Sequence, residues 1–143
     1  MKPLRLTVIL GSVSLILLLL LSACHNSVEM DPGFIESDTI ILTSGSKTLL
    51  RCDPLTWQLG YSSTKREFQA FSDDMSSYYT LTCKSLPKAE GDSITASLEW
   101  KAGDGVKKKS NLTFSVKRIA DDGRIWLWNS SDGIGIVVRM LTL

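Results

Sequence analysis

Between Ser93 and Lys101, Ile94, Ala96, Leu98 and Trp100 alternate with Thr95, Ser97, Glu99 and Lys101. A period of two is what a strand with one buried and one wet face requires, whereas the apolar positions of a helix recur every three or four residues. Lys109 to Ile119 repeats the pattern with Leu112, Phe114 and Val116, and Gly103-Asp104-Gly105 supplies the turn of a hairpin between the two segments. Asp121-Asp122-Gly123 then leads into Arg124 to Trp128, and Ser130 to Gly133 turns into Ile134 to Leu143. The second half therefore reads as a meander of about four antiparallel strands.

The first half carries the same signal less regularly. Thr39 to Leu42 and Lys47 to Cys52 flank Thr43-Ser44-Gly45-Ser46, a hairpin signature, and the β-branched and aromatic run Ser77 to Leu86 stops at Pro87. Between them, Thr64-Lys65-Arg66-Glu67 fits a capping box and Phe68, Phe71 and Met75 fall at helical spacing, which predicts a short helix from Lys65 to about Asp74. A loop followed by an edge strand is the alternative, since serines and aspartates punctuate both sides. The expected architecture is mainly β: a small antiparallel β-sandwich or partly open β-barrel of six to eight strands, with one short helix near 65–74. Gly45 to Cys52 resembles the second strand of an immunoglobulin domain, but Trp57 follows Cys52 too soon to be that fold's core tryptophan, and Leu81 stands where its corner tyrosine belongs.

The chain opens differently. Lys2 and Arg5 precede an apolar run from Val8 to Leu20, and Leu21-Ser22-Ala23-Cys24 follows directly. This is the tripartite pattern of an export signal, and the stretch is shorter than the roughly 20 residues that span a bilayer comfortably. The last four residues resemble the lipobox of bacterial lipoproteins. That resemblance implies cleavage before Cys24, a diacylglycerol on its thiol, acylation of the new amine, and a protein held on a membrane by acyl chains, each buried methylene contributing about 0.8 kcal/mol. His25, rather than aspartate, follows the anchor, which by the same resemblance favours the outer membrane.

Three parts follow: a cleaved signal peptide over 1–23, a lipidated tether over 24–38 and a single β domain over 39–143. The tether, polar and holding Pro32-Gly33, would reach about 20 Å as a coil and about 45 Å extended. Removing the signal leaves about 120 residues, one domain's worth, with fourteen basic against fifteen acidic residues. That balance excludes the bulk positive charge of a nucleic-acid binder. With Cys24 acylated, Cys52 and Cys83 remain as an even pair in an oxidising compartment, so one disulfide is expected, worth about 3 to 4 kcal/mol; two free thiols are the alternative.

Nothing in the mature part assembles catalytic chemistry. The single histidine, His25, sits beside the anchor, and the pairs Asp73/Asp74 and Asp121/Asp122 fall at turns, where aspartate serves local hydrogen bonding. No metal site and no cofactor are expected. Binding is better represented. Trp126 and Trp128 share one face of a strand and offer either a platform for sugar rings or, because Ile125-Trp126-Leu127-Trp128 is apolar on both faces, a core. Lys107, Lys108 and Lys109 gather positive charge at one hairpin end, either to meet lipid headgroups, lipopolysaccharide phosphates or an acidic partner, or as solvated lysines that guard a strand edge. The expected function is a lipid-anchored envelope protein that acts by contact with another envelope or secreted protein, as an inhibitor, an immunity protein or an accessory subunit. A carbohydrate- or glycolipid-binding module and a secretin pilotin are the alternatives, and an enzyme is not expected.

Overall fold

A computed structural model describes residues 27–37, 40–53, 55–103 and 105–140. The apolar run Val8 to Leu20, the lipobox, Cys24, Thr39 and the end of the last expected strand lie outside the described residues. A four-residue helix, α1 (Pro32–Ile35), precedes nine strands: β1 (Ile40–Ser44), β2 (Lys47–Cys52), β3 (Trp57–Ser62), β4 (Glu67–Ser72), β5 (Tyr78–Cys83), β6 (Ser93–Lys101), β7 (Val106–Ile119), β8 (Arg124–Asn129) and β9 (Ile134–Arg139). They form one antiparallel sheet in the order β2-β1-β9-β8-β7-β6-β5-β4-β3, curled into a nearly closed barrel. The mainly β expectation holds in its barrel form, with nine strands where six to eight were expected.

Strands β3 to β9 are a plain meander, and the fold is made by one non-local step: β1 lies against β9, with Leu42 opposite Ile136. The inward positions follow the alternation seen in the sequence. Ile94, Ala96, Leu98 and Trp100 of β6, Leu112, Phe114 and Val116 of β7, and Ile134, Ile136 and Val138 of β9 all enter one core. Tyr79 reaches across that core, its hydroxyl 3.5 Å from the Val137 carbonyl. The interior is filled by side chains, as expected of a barrel this small.

The stretch Lys65 to Asp74, where a helix was expected, is instead the turn into β4 and β4 itself, closer to the loop and strand held as the alternative. Phe68 and Ala70 point inward at strand spacing, while Phe71 stacks on Tyr78 outside at 5.7 Å. The Ser62 hydroxyl accepts from the Lys65 N–H at 3.2 Å inside a tight turn, and Glu67 is engaged by the Gln69 amide and, at 3.0 Å, by the Thr82 hydroxyl. Tertiary pairing has overridden a local helical signal. The short helix that does form is α1, inside the stretch expected to be tether; Asp31 caps it by accepting from the Gly33 N–H, and Pro32 opens it.

Residues 27–37 are a strap laid on the outer face of β8 and β9. The Val28 N–H donates to the Ser130 carbonyl at 2.7 Å, Arg118 Nη1 donates to the Ile35 carbonyl at 3.3 Å, and the Phe34 ring lies 5.9 Å from that of Trp128. Gly135 makes room for it: a side-chain carbon there would come within 2.8 Å of the Phe34 ring. Phe34, Ile41, Trp126, Trp128 and Val137 form a second core, separate from the barrel interior. The apolar pattern of β8 on both faces is thus answered by the interior on one side and the strap on the other.

Candidate functional site

A hollow opens at the barrel end where the β1–β2, β6–β7 and β8–β9 turns lie, and its shape comes from one irregularity. Ala96 pairs with Leu112, but Leu98 pairs with Lys109, so β7 carries one residue more than β6 across this interval. The extra residue is a β-bulge at Ser110 and Asn111, with Asn111 at a φ of 57°. Bulges re-aim side chains, and directly opposed residues share a face. Past the bulge, Lys107 faces Trp100 and Lys109 faces Leu98, both inward-directed residues of β6. Two lysines thereby occupy positions that Leu112, Phe114 and Val116 fill further along the same strand.

The result is a cavity of about 480 Å³, within the range of small-molecule sites. Leu42, Leu98, Trp100 and Ile134 form its floor, Leu49 one wall, and Lys107, Lys108, Lys109 and Ser44 its rim. A hollow of about 250 Å³ adjoins it and adds Lys47, Thr48, Ala102 and Gly105. Lys109 lies 3.5 Å from the Asp132 carboxylate, with both side chains well exposed, an ion pair of little energetic weight. Among the described residues, Lys47, Lys107 and Lys108 pair with no carboxylate. The chemistry on offer is an apolar floor under ammonium groups whose methylene stems complete the walls.

The structure sorts the other sequence candidates. Trp126 and Trp128 are 0% and 4% exposed, so neither offers a face to a sugar ring, and the platform reading gives way to the core one. Two guanidinium groups lie over the Trp126 ring, Arg118 at 4.6 Å and Arg124 at 5.2 Å from its centroid. The three lysines are brought together on the mouth rather than spread along a closed edge. Among the described residues, no three of His, Cys, Asp and Glu gather as a metal-holding group.

Cys52 and Cys83 are buried, unbonded thiols, not the disulfide expected from their even number. Both point into the core as small apolar groups, and the electrostatic neighbour Cys52 finds on β5 is Tyr79, four residues along the strand from Cys83. Burial pushes the Cys52 thiol up to about 12, and it does the same to Cys83 against the pull of Arg66. The nucleophilic thiolate is therefore scarce at neutral pH. In the native chain both are expected to resist iodoacetamide at pH 8 and both to react after unfolding without reductant, counted by intact mass. Two unreacted cysteines in the unfolded chain would mean a disulfide after all.

The aspartate pairs serve turns. Asp74 accepts from the Ser76 hydroxyl at 2.7 Å, the Ser76 N–H at 3.0 Å and the Ser72 hydroxyl at 2.8 Å, which lowers its carboxyl to about 2. Burial pushes the Asp122 carboxyl up, but the N–H and charge of Arg124 and the charge of Arg139 bring it below its ordinary value. Both groups are held as carboxylates, an arrangement suited to fastening a turn.

Sequence reasoning missed the bulge and the strap. Phe34-Ile35 within a polar stretch was the available signal for the second, whereas a run of three lysines carries no apolar period from which a change of face can be read. Compared with family models, curated proteins and solved structures, the chain matches none of them.

Proposed function

We propose that this is a lipid-anchored binding protein of the bacterial envelope whose working surface is the lysine-rimmed barrel mouth. The observation that carries the reading is where the strap docks. Val28 seats on the β8–β9 turn, against Gly133, and the same turn holds Asp132, the partner of Lys109, and leads into Ile134 of the mouth. Cys24 stands four residues before Val28, a span of at most about 14 Å. A chain acylated at Cys24 therefore works with its mouth close to the lipid headgroups, on a leash far shorter than a free tether over 24–38 would allow. Anionic partners, a lipid phosphate or an acidic face of an envelope protein, suit the rim, and a sugar stacked on Trp126 and Trp128 does not.

Acylation is tested directly. In cells given an alkyne analogue of palmitate, the full chain is expected to take up label and sediment with membranes, and Cys24→Ala to lose both. A Cys24→Ala chain that kept the label would sink the anchor reading.

A further inference from the structure

We propose that the barrel mouth holds the anionic headgroup of a phospholipid from the membrane beside it, with the phosphate between Lys107 and Lys109 and the first acyl methylenes against Leu49, Trp100 and Ile134. The inference rests on the mouth being the working surface, and its test does not depend on acylation at Cys24. Its basis is the bulge. Without the extra residue at Ser110 and Asn111, the β7 alternation that buries Leu112, Phe114 and Val116 would turn Val106, Lys108 and Ser110 toward the β6 floor; with it, Lys107 and Lys109 take that face. Ammonium groups at this mouth need an anion or water, Lys109 having only the exposed Asp132 carboxylate, and half-buried Leu49 with exposed Val106 sets apolar surface beside them, two features that one amphiphile answers together.

The lip points the same way. Val106, more than half exposed, follows the β6–β7 turn beside Lys107, and Val28, 40% exposed, rides on the β8–β9 turn. These are two of the four large apolar residues exposed among the described residues, and both stand at the mouth end. A lipid interface takes up the apolar lip and the lysine rim together, and the phosphate-bearing leaflet that an exported chain faces supplies the charge.

The test titrates the purified full chain, held in a neutral detergent, with dodecyl phosphate and follows tryptophan fluorescence, since Trp100 lines the floor. The parent chain is expected to saturate. The double variant Lys107→Glu/Lys109→Glu is expected to bind roughly tenfold to a hundredfold more weakly, the loss of charge-assisted contacts. Lys107→Ala/Lys109→Ala should fall between, and Lys117→Glu, on the far half of β7, should match the parent. Circular dichroism of each variant confirms the barrel. Equal affinity in the double variant and the parent would overturn the proposal, as would dodecyl maltoside binding as tightly as dodecyl phosphate. Inorganic phosphate matching dodecyl phosphate would also overturn it, by assigning the site to a free anion. Cys24→Ala leaves this titration untouched, so failure here condemns the ligand of the mouth, while failure of the palmitate experiment condemns the anchor.

Discussion

Phe114→Ala is expected to lower the unfolding midpoint by roughly 12–20 °C. Phe114 is 0% exposed, stands in the middle of β7 opposite Ile94, and is surrounded by the inward residues of neighbouring strands. Removing its ring takes away the transfer free energy of a large aromatic and leaves a void that a sheet hydrogen-bonded on both sides of β7 cannot collapse to fill. The cost is about 3 to 5 kcal/mol, a large share of the 5–15 kcal/mol typical of a domain this size. Thermal unfolding followed by far-ultraviolet circular dichroism gives the number. A loss below about 1 kcal/mol would mean that the interior is looser than its burial implies.

Gly123→Ala is expected to cost about 3 kcal/mol for a different reason. Gly123 closes the turn between β7 and β8 at a φ of 89°, its N–H bonded to the Ala120 carbonyl and its own carbonyl accepting from the Met140 N–H at 2.8 Å. A side-chain carbon there would sit 2.3 Å from the Met140 carbonyl oxygen. That neighbour is backbone and cannot rotate away. Gly105 makes the control, since it has nearly the same φ, 90°, with nothing within 4 Å of the added carbon. Gly105→Ala should lose only the torsional part, about 1 kcal/mol. If urea midpoints for the two variants coincide, the packing of the chain after β9 against this turn is not what the geometry requires.

Where one face of a strand is buried and the other wet, the pattern was legible in full: β6 and the second half of β7 lie as their alternation implied. Legibility fell wherever two patterns fit the same residues. Phe68, Phe71 and Met75 suit a helix by spacing, yet only Phe68 of the three is inward, and Met75 sits in a turn at a φ of 60°. The cysteines show a second limit. An even number says that a pair can form, but position decides it, and Cys52 and Cys83 were placed as core residues on β2 and β5. The mouth shows a third: its apolar floor was visible residue by residue, while the bulge that turns lysines over it depends on pairing between strands, which no stretch of β7 contains alone.

The strap has a seat made almost entirely of β8 and β9, so a segment near the start of the chain waits on its end. Until Trp126, Trp128 and Val137 have been synthesised and paired, Phe34 has only Ile41 of its core partners, and β1 likewise lacks its β9 neighbour. Such long-range closure is slow compared with hairpin formation. Until β8 and β9 have been made, residues 27–37 are therefore without most of their seat. Docking of the strap and closure of the barrel are thus one late event set by topology: the segment near the start of the chain is fastened only when its end is in place.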